Sequence, residues 1–259
     1  MPPTVLTRPP PRGQRSGAEG GRFVEWYPAA SDKLVVAIHG GYWRDRHDLA
    51  HLGHLCADLA GRGLAVASLE YRRVGGAGGG WPGTFEDIRQ DIEALPVLAQ
   101  AQGMTLGETV ILGHSAGGQL ALWAVSSARE AGALARPSTV GLRGVLALAP
   151  VSDLSEASRR NLSEGAAREL LGGSPEMVPK RYRDASPVEL LPLGVRTIVI
   201  HGTEDADVPY DMSAIYVDRA RAAGDDCRLV TLAGADHFDL IDPESRYWPE
   251  VIRAIQSLF

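Results

Sequence analysis

The chain has 259 residues, 44% of them apolar and 22% charged, with a net charge of −6. That length fits one domain with a single large core, and an acidic balance without a Lys/Arg-rich stripe argues against a nucleic-acid partner. No apolar run approaches the roughly 20 residues that a membrane-spanning helix requires, and two distant cysteines, Cys56 and Cys227, make no disulfide framework, so a reduced, cytoplasmic setting without a membrane partner is expected.

Residues 1–21 are rich in Pro, Arg and Gly and lack the apolar segment of a secretory leader, so they read as a disordered or extended tail that joins the domain near Phe23. Residues 34–38 are continuously apolar and run into His39-Gly40-Gly41. A helix is predicted over 48–59, with Leu49, Leu52, Leu55 and Leu59 at three- and four-residue spacing. A strand over 65–69 follows, then a glycine run at 75–80 that suits a flexible loop. The helix predicted over 84–100 begins at a Thr84 cap and carries Phe85, Ile88, Ile92 and Leu95, and Pro96 should kink or interrupt it. A strand over 109–113 leads into a helix over 116–129. After a strand over 145–148, residues 151–192 show no convincing strand and only short helical pieces such as 164–171. They read as a cap-like excursion over the sheet edge. Strand 197–200, helix 211–223, strand 228–232 and helix 248–258 complete the chain.

Short apolar runs without polar alternation suit strands buried on both faces. Their alternation with helices predicts an α/β fold with a mostly parallel central sheet flanked by helices. Residues 22–259 then form one domain, with the cap-like insertion at about 151–192.

The chemistry gathers after the strands. Gly113-His114-Ser115-Ala116-Gly117 has the G-x-S-x-G spacing, in which glycines leave room for a tight strand-to-helix turn that lifts a serine hydroxyl above the sheet. The motif alone is weak, but here it follows an apolar run and opens a helix, the context it needs. After the first strong strand, the Gly40-Gly41 pair lets backbone N–H groups approach a substrate. Gly41 and Tyr42, together with Ala116, are assigned to an oxyanion hole, and His39 reads as structural support for that loop. The loop after strand 197–200 offers Glu204, Asp205 and Asp207 as carboxylates, and Asp153 is an outside candidate. His237, after the last strand, is the natural base because an imidazole titrates near neutrality. Tyr42, Trp43, Trp81 and Phe238 lie on loops of the same rim, and Trp43, Trp81 and Phe238 are the candidates for a substrate pocket.

The order Ser115, carboxylate, His237 resembles that of the α/β-hydrolases. Within that resemblance the D-x-x-V-P spacing favours Asp205 as the acid, with Asp207 and Glu204 as alternatives. His39-Gly40-Gly41-Tyr42-Trp43 is similar to the HGGxW signature of the kynurenine formamidase (arylformamidase) branch. The resemblance covers most of residues 34–238. It implies hydrolysis of N-formyl-L-kynurenine through a serine acyl-enzyme, with the hole at Gly41 and Tyr42. A broad-range small-molecule carboxylesterase is the alternative, and a non-catalytic binding protein on the same fold is a third.

No cofactor is indicated. His47, His51 and His54 share a predicted helix face, but no Glu or Cys completes a metal shell there, so the histidines read as a solvated face. The 75–80 loop lacks the Lys-Ser/Thr ending of a phosphate-binding loop. His114 and His201 read as structural supports. The expected partner is a small molecule with a carbonyl to be hydrolysed, and the oligomeric state is open.

Overall fold

Six apolar runs become parallel strands, and two strands that the apolar pattern does not reveal join them antiparallel. The computed structural model describes residues 9–19, 22–126 and 141–259. The strands are β1 (Gln14–Glu19), β2 (Arg22–Tyr27), β3 (Lys33–Ile38), β4 (Ala65–Glu70), β5 (Glu108–His114), β6 (Leu142–Leu148), β7 (Thr197–Gly202) and β8 (Cys227–Leu232). They form one sheet in the order β1-β2-β4-β3-β5-β6-β7-β8. β2 pairs antiparallel with both β1 and β4, and every pairing from β4 to β8 is parallel. With its flanking helices this is the α/β-hydrolase fold.

The residue-by-residue alternation of a strand splits the core into two layers. Leu34, Val36 and Ile38 face one layer, while Val35 and Ala37 face the other. Helices α1 (Gly53–Gly61) and α8 (Trp248–Leu258) cover the second face, with Trp248, Val251, Ile255 and Leu258 turned inward at helical spacing. Trp248 Nε1 donates to Asp58 Oδ2 at 2.8 Å and ties these two helices together. Helices α2 (Gly83–Ala101), α3 (Ala116–Val125) and α7 (Tyr210–Ala222) cover the first face.

The segment read as a cap contains α4 (Leu154–Arg159), α5 (Ala166–Leu171) and α6 (Pro179–Ala185), with 3₁₀ turns at Leu162–Gly165 and Pro187–Glu189. It is bonded to the body of the domain. Gln119 Nε2 donates to Ala185 O at 2.8 Å, Trp123 Nε1 donates to Asp184 O at 3.0 Å, and Arg160 pairs with Asp211 at 2.7 Å.

Three expectations change. The tail boundary moves, because Gln14–Glu19 forms the edge strand β1 rather than a free tail. Its attachment is explained by Glu25, wholly buried on β2, which accepts from Gly13 N and Tyr27 Oη and pairs with Arg12 and Arg15. Pro96 does not interrupt α2. The buried stripe of Ile88, Ile92, Leu95 and Ala99 carries the helix past the missing N–H. Thr84 is not the cap of that helix, since its hydroxyl donates to Arg72 O and accepts from Gly80 N, pinning the glycine loop. The helix predicted over 116–129 is seen for Ala116–Val125, and its last predicted residues lie outside the described ones.

Candidate active site

Parallel strands deliver their carboxyl ends to one rim, so the loops after β3, β5, β7 and β8 are neighbours. Ser115 sits between β5 and α3 with φ 58 and ψ −120. A sparsely populated backbone conformation of this kind costs a non-glycine residue roughly 1–3 kcal/mol, and here the surroundings impose it. Ser115 N donates to Leu148 O at 2.8 Å, and Ser115 O accepts from Gln119 N at 3.1 Å. The motif's glycines are required by contact. A Cβ on Gly113 would lie 2.1 Å from Gly117 O, and one on Gly117 would lie 2.0 Å from Ile38 O.

The loop after β3 is left-handed at three successive residues, Gly41 (φ 101), Tyr42 (φ 50) and Trp43 (φ 59). It is clamped on several sides. Val74 N donates to Trp43 O at 2.7 Å, Tyr42 Oη donates to Asp207 O at 2.5 Å, and Gly40 N donates to His51 Nε2 at 3.2 Å. His39, wholly buried, meets Glu70 at 3.0 Å and stacks on Tyr71, whose hydroxyl donates to His39 O at 2.9 Å. Gly40 packs against the serine, because a Cβ there would lie 3.0 Å from Ser115 Cβ. Among the described residues the N–H groups of Gly41 and Tyr42 have no backbone acceptor. Ala116 N–H, at the first position of α3, has none within its helix.

His237 lies in the loop after β8. Its Nδ1 is 2.7 Å from Asp205 Oδ2, and its backbone oxygen accepts from His114 Nε2 at 3.0 Å. His114 immediately precedes Ser115, so that bond moors the base loop beside the serine turn. Asp205 Oδ1 accepts from Asp207 N at 2.9 Å and Val208 N at 2.8 Å. Burial works against ionisation of Asp205, but the bonds from His201 and His237 outweigh it and hold its carboxyl well below the usual carboxylate range. With Nδ1 bonded to the carboxylate, Nε2 is the ring nitrogen not engaged by Asp205. No hydrogen bond joins Ser115 Oγ to His237 among the described residues, and such bonds often tighten only with substrate present.

Of the candidate acids, Asp205 is the one bonded to His237. Glu204 and Asp207 are exposed, and Asp153 caps α4 by accepting from Glu156 N at 2.9 Å. Asp205, Asp207 and His237 are also the one cluster among the described residues whose donor atoms could approach a single ion, lying within 4.8 Å of one another.

The three pocket candidates separate. Phe238 is half-buried and stands edge-on to His237 at 5.3 Å. Trp43 is wholly buried and donates from Nε1 to Gln119 Oε1 at 3.0 Å, so it props the loop from beneath rather than forming a pocket wall. Trp81 packs edge-on against Phe85 and borders a cavity of about 410 Å³ with Met177 and Val178, whose lining includes none of Ser115, Asp205 and His237.

His51 corrects the reading of a solvated helix face. It points inward, takes the Gly40 N–H, and sits edge-on between His39 and His114. Burial keeps both His51 and His114 neutral, pushing His114 down to about 3 with help from neighbouring His237. The sequence signal for His51 was its place one turn below Leu55 on the buried stripe. His201 and Ser213, which also hold the acid loop, had no comparable signal beyond the position of His201 at a strand end.

Residues 27–219 match the BD-FAE family. The chain is 24% identical over 224 residues to the esterase LipC of Mycobacterium tuberculosis, covering 83% of this chain and 55% of that protein. It is 24% identical over 238 residues to a probable isoprenylcysteine alpha-carbonyl methylesterase of Oryza sativa subsp. japonica, covering 84% and 54%. The chain thus spans about half the length of the curated relatives it matches. Among solved structures, the propionate-bound esterase Est2 of Thermogutta terrifontis superposes with a TM-score of 0.74 at 22% identity, covering 99% of this chain and 94% of that one. A truncated carbohydrate esterase from gut microbiota gives 0.77 at 19% identity, covering 97% and 100%. Among the described residues no helix is long and apolar enough to cross a membrane.

Proposed function

The chain belongs to the BD-FAE family, and from that premise we propose that it is a serine carboxylesterase acting on a small ester through an acyl-enzyme. The observation that carries this reading is the 2.7 Å bond between His237 Nδ1 and Asp205 Oδ2, moored through His114 beside a left-handed Ser115. The matched relatives named as esterases support an ester over a formamide. The formamidase implied by the HGGxW resemblance, with residues 113–118 and the Asp205/His237 pair in support, is the competing reading.

In the proposed reaction Ser115 Oγ attacks the ester carbonyl while His237 Nε2 takes its proton. The carbonyl oxygen becomes an oxyanion facing the N–H groups of Ala116, Gly41 and Tyr42. Asp205 holds the imidazole with its Nδ1 protonated and steadies the imidazolium. His237 then returns the proton to the departing alkoxide, and water releases the acid by the same relay.

The test is a panel of short p-nitrophenyl esters and N-formylkynurenine with the purified protein, alongside labelling by a fluorophosphonate probe. Esters should turn over faster than the formamide, and Ser115→Ala should lose both labelling and about 10⁵ of the rate while melting normally. A preference for the formamide would overturn the ester assignment. A wild-type protein that neither labels nor hydrolyses any member of the panel would favour a binding role.

A further inference from the structure

Asp205 meets a second imidazole. His201, the next-to-last residue of β7, is wholly buried, and its Nε2 lies 2.9 Å from Val208 O and 3.2 Å from Asp205 Oδ2. That carboxylate oxygen is the one His237 Nδ1 reaches at 2.7 Å. A carbonyl and an ionised carboxylate only accept, so Nε2 of His201 carries a proton. The better aligned share goes to Val208 O, and the remainder faces Asp205. On the other side of the ring, Nδ1 lies 2.7 Å from Oγ of Ser213, a residue wholly buried on α7. With Nδ1 accepting the Ser213 hydroxyl, the tautomer that points N–H at the acid is fixed.

We propose that His201, held in one tautomer by Ser213, is a positioning residue of the relay: it shares the Asp205 oxygen with His237 and so limits how tightly that carboxylate retains a proton on the base. The proposal rests on reading Ser115, His237 and Asp205 as that relay. An oxygen shared between two donors presents less negative charge to each. A base that must return its proton to the leaving group works best when it is not overly basic. Removing the His201 donor should therefore raise the proton affinity of His237.

The other groups around the two rings do not change in the test. His237 is faced by Asp205, by His114 with ring centroids 4.4 Å apart, by Phe238, and by exposed Asp207. His114 stays neutral across the working range, since burial drives it down to about 3. His201 is faced by Asp205, Ser213, Val208 O and the edge of Tyr210 at 5.7 Å.

The experiment is an NMR titration of the His237 ring in the full chain labelled at histidine, which needs no substrate, together with the pH profile of kcat/KM on a p-nitrophenyl ester. In His201→Phe the His237 midpoint should rise by about 0.5–1 pH unit, the size expected when a partly shared bond to a charged acceptor is lost. The acid limb of kcat/KM should move with it. His201→Gln, whose amide N–H can take the place of Nε2–H, should return the midpoint to within about 0.2 unit of wild type. Ser213→Ala should raise it by a smaller amount, and this milder variant decides the matter if His201→Phe does not fold. An unmoved or lowered midpoint in the folded variants overturns the proposal. A wild type inert to ester and to fluorophosphonate would sink the hydrolase reading instead, and the titration would still report on His201.

Discussion

Replacing Gly117 by Ala tests whether the serine turn depends on backbone contact. The added Cβ would lie 2.0 Å from Ile38 O and 2.4 Å from His39 O. Both are backbone atoms where β3 leaves the sheet, so neither can swing away as a side chain could. Reaching ordinary contact requires α3 to withdraw by about 1.5 Å from that strand end. Overpacking of this kind costs about 1–3 kcal/mol or more, which for a domain of this size is a fall in Tm of roughly 2–12 °C. The same withdrawal shifts Ser115 and Ala116 away from the Gly41–Tyr42 loop, and a misplacement near 1 Å can cost about 10² in rate. The assay pairs thermal unfolding with turnover of a p-nitrophenyl ester. Gly61→Ala is the control: Gly61 ends α1 with nothing within 4 Å of its added Cβ, so it should gain about 0.4–1 kcal/mol. If Gly117→Ala melts and turns over like wild type, the contact argument for the motif is wrong.

Two pH predictions have opposite signs. Asp91 is buried with one carboxylate oxygen unpartnered; burial pushes it up to about 7 despite Arg22 at 3.2 Å, with Asp87 adding repulsion. A raised acid stabilises the fold below its unfolded value of about 4, and that contribution is lost as pH rises through about 7. Asp91→Asn should flatten this decline in Tm between pH 5 and 8; parallel wild-type and variant curves would refute the assignment. His51 is held neutral by burial and by His39 and His114 beside it, so its contribution is present above about pH 6.5 and is lost on acidification. His51→Gln removes that titration and keeps an acceptor for Gly40 N–H. It should melt less steeply with acid and keep kcat within about threefold, whereas His51→Ala, with no acceptor, should lose about tenfold or more. Equal kcat in the two variants would show that Gly40 does not need the bond.

The parallel strands were legible because each is buried on both faces, leaving an unbroken apolar run such as Leu34 to Ile38. β2 hid because it carries Glu25 at its centre. Sequence pattern treats a charge as solvent-facing, and only the converging partners Arg12, Arg15, Gly13 and Tyr27 make that carboxylate a buried member of the sheet. The pairing of Asp205 with His237 rather than with Glu204 or Asp207 followed the D-x-x-V-P analogy, and the structure gives it a local reason. Val208 N and Asp207 N both bond Asp205 Oδ1, turning Oδ2 toward the base. Trp43 and Trp81 both lie on rim loops, but position on a rim loop says nothing about which way a ring turns. Trp43 turns down to Gln119, and Trp81 turns toward Phe85 and α6.

The backbone strain at the rim argues that the arrangement is imposed by the sheet rather than tolerated by it. Non-glycine residues with φ near +50 follow three neighbouring parallel strands: Tyr42 and Trp43 after β3, Ser115 after β5 and Ala149 after β6. Each would relax in isolation. In the fold each is pinned by a bond to another strand end or loop, Trp43 O by Val74 N, Ser115 N by Leu148 O, and Ala149 N by Ile200 O. Strain that recurs at several strand ends and is held from outside each turn is characteristic of sites where geometry matters more than local stability. The cost of about 1–3 kcal/mol at each such residue is then offset by the two buried layers beneath. On this argument the turn at Ser115 should persist when its side chain is removed, which is why Ser115→Ala is expected to abolish turnover and leave the fold in place.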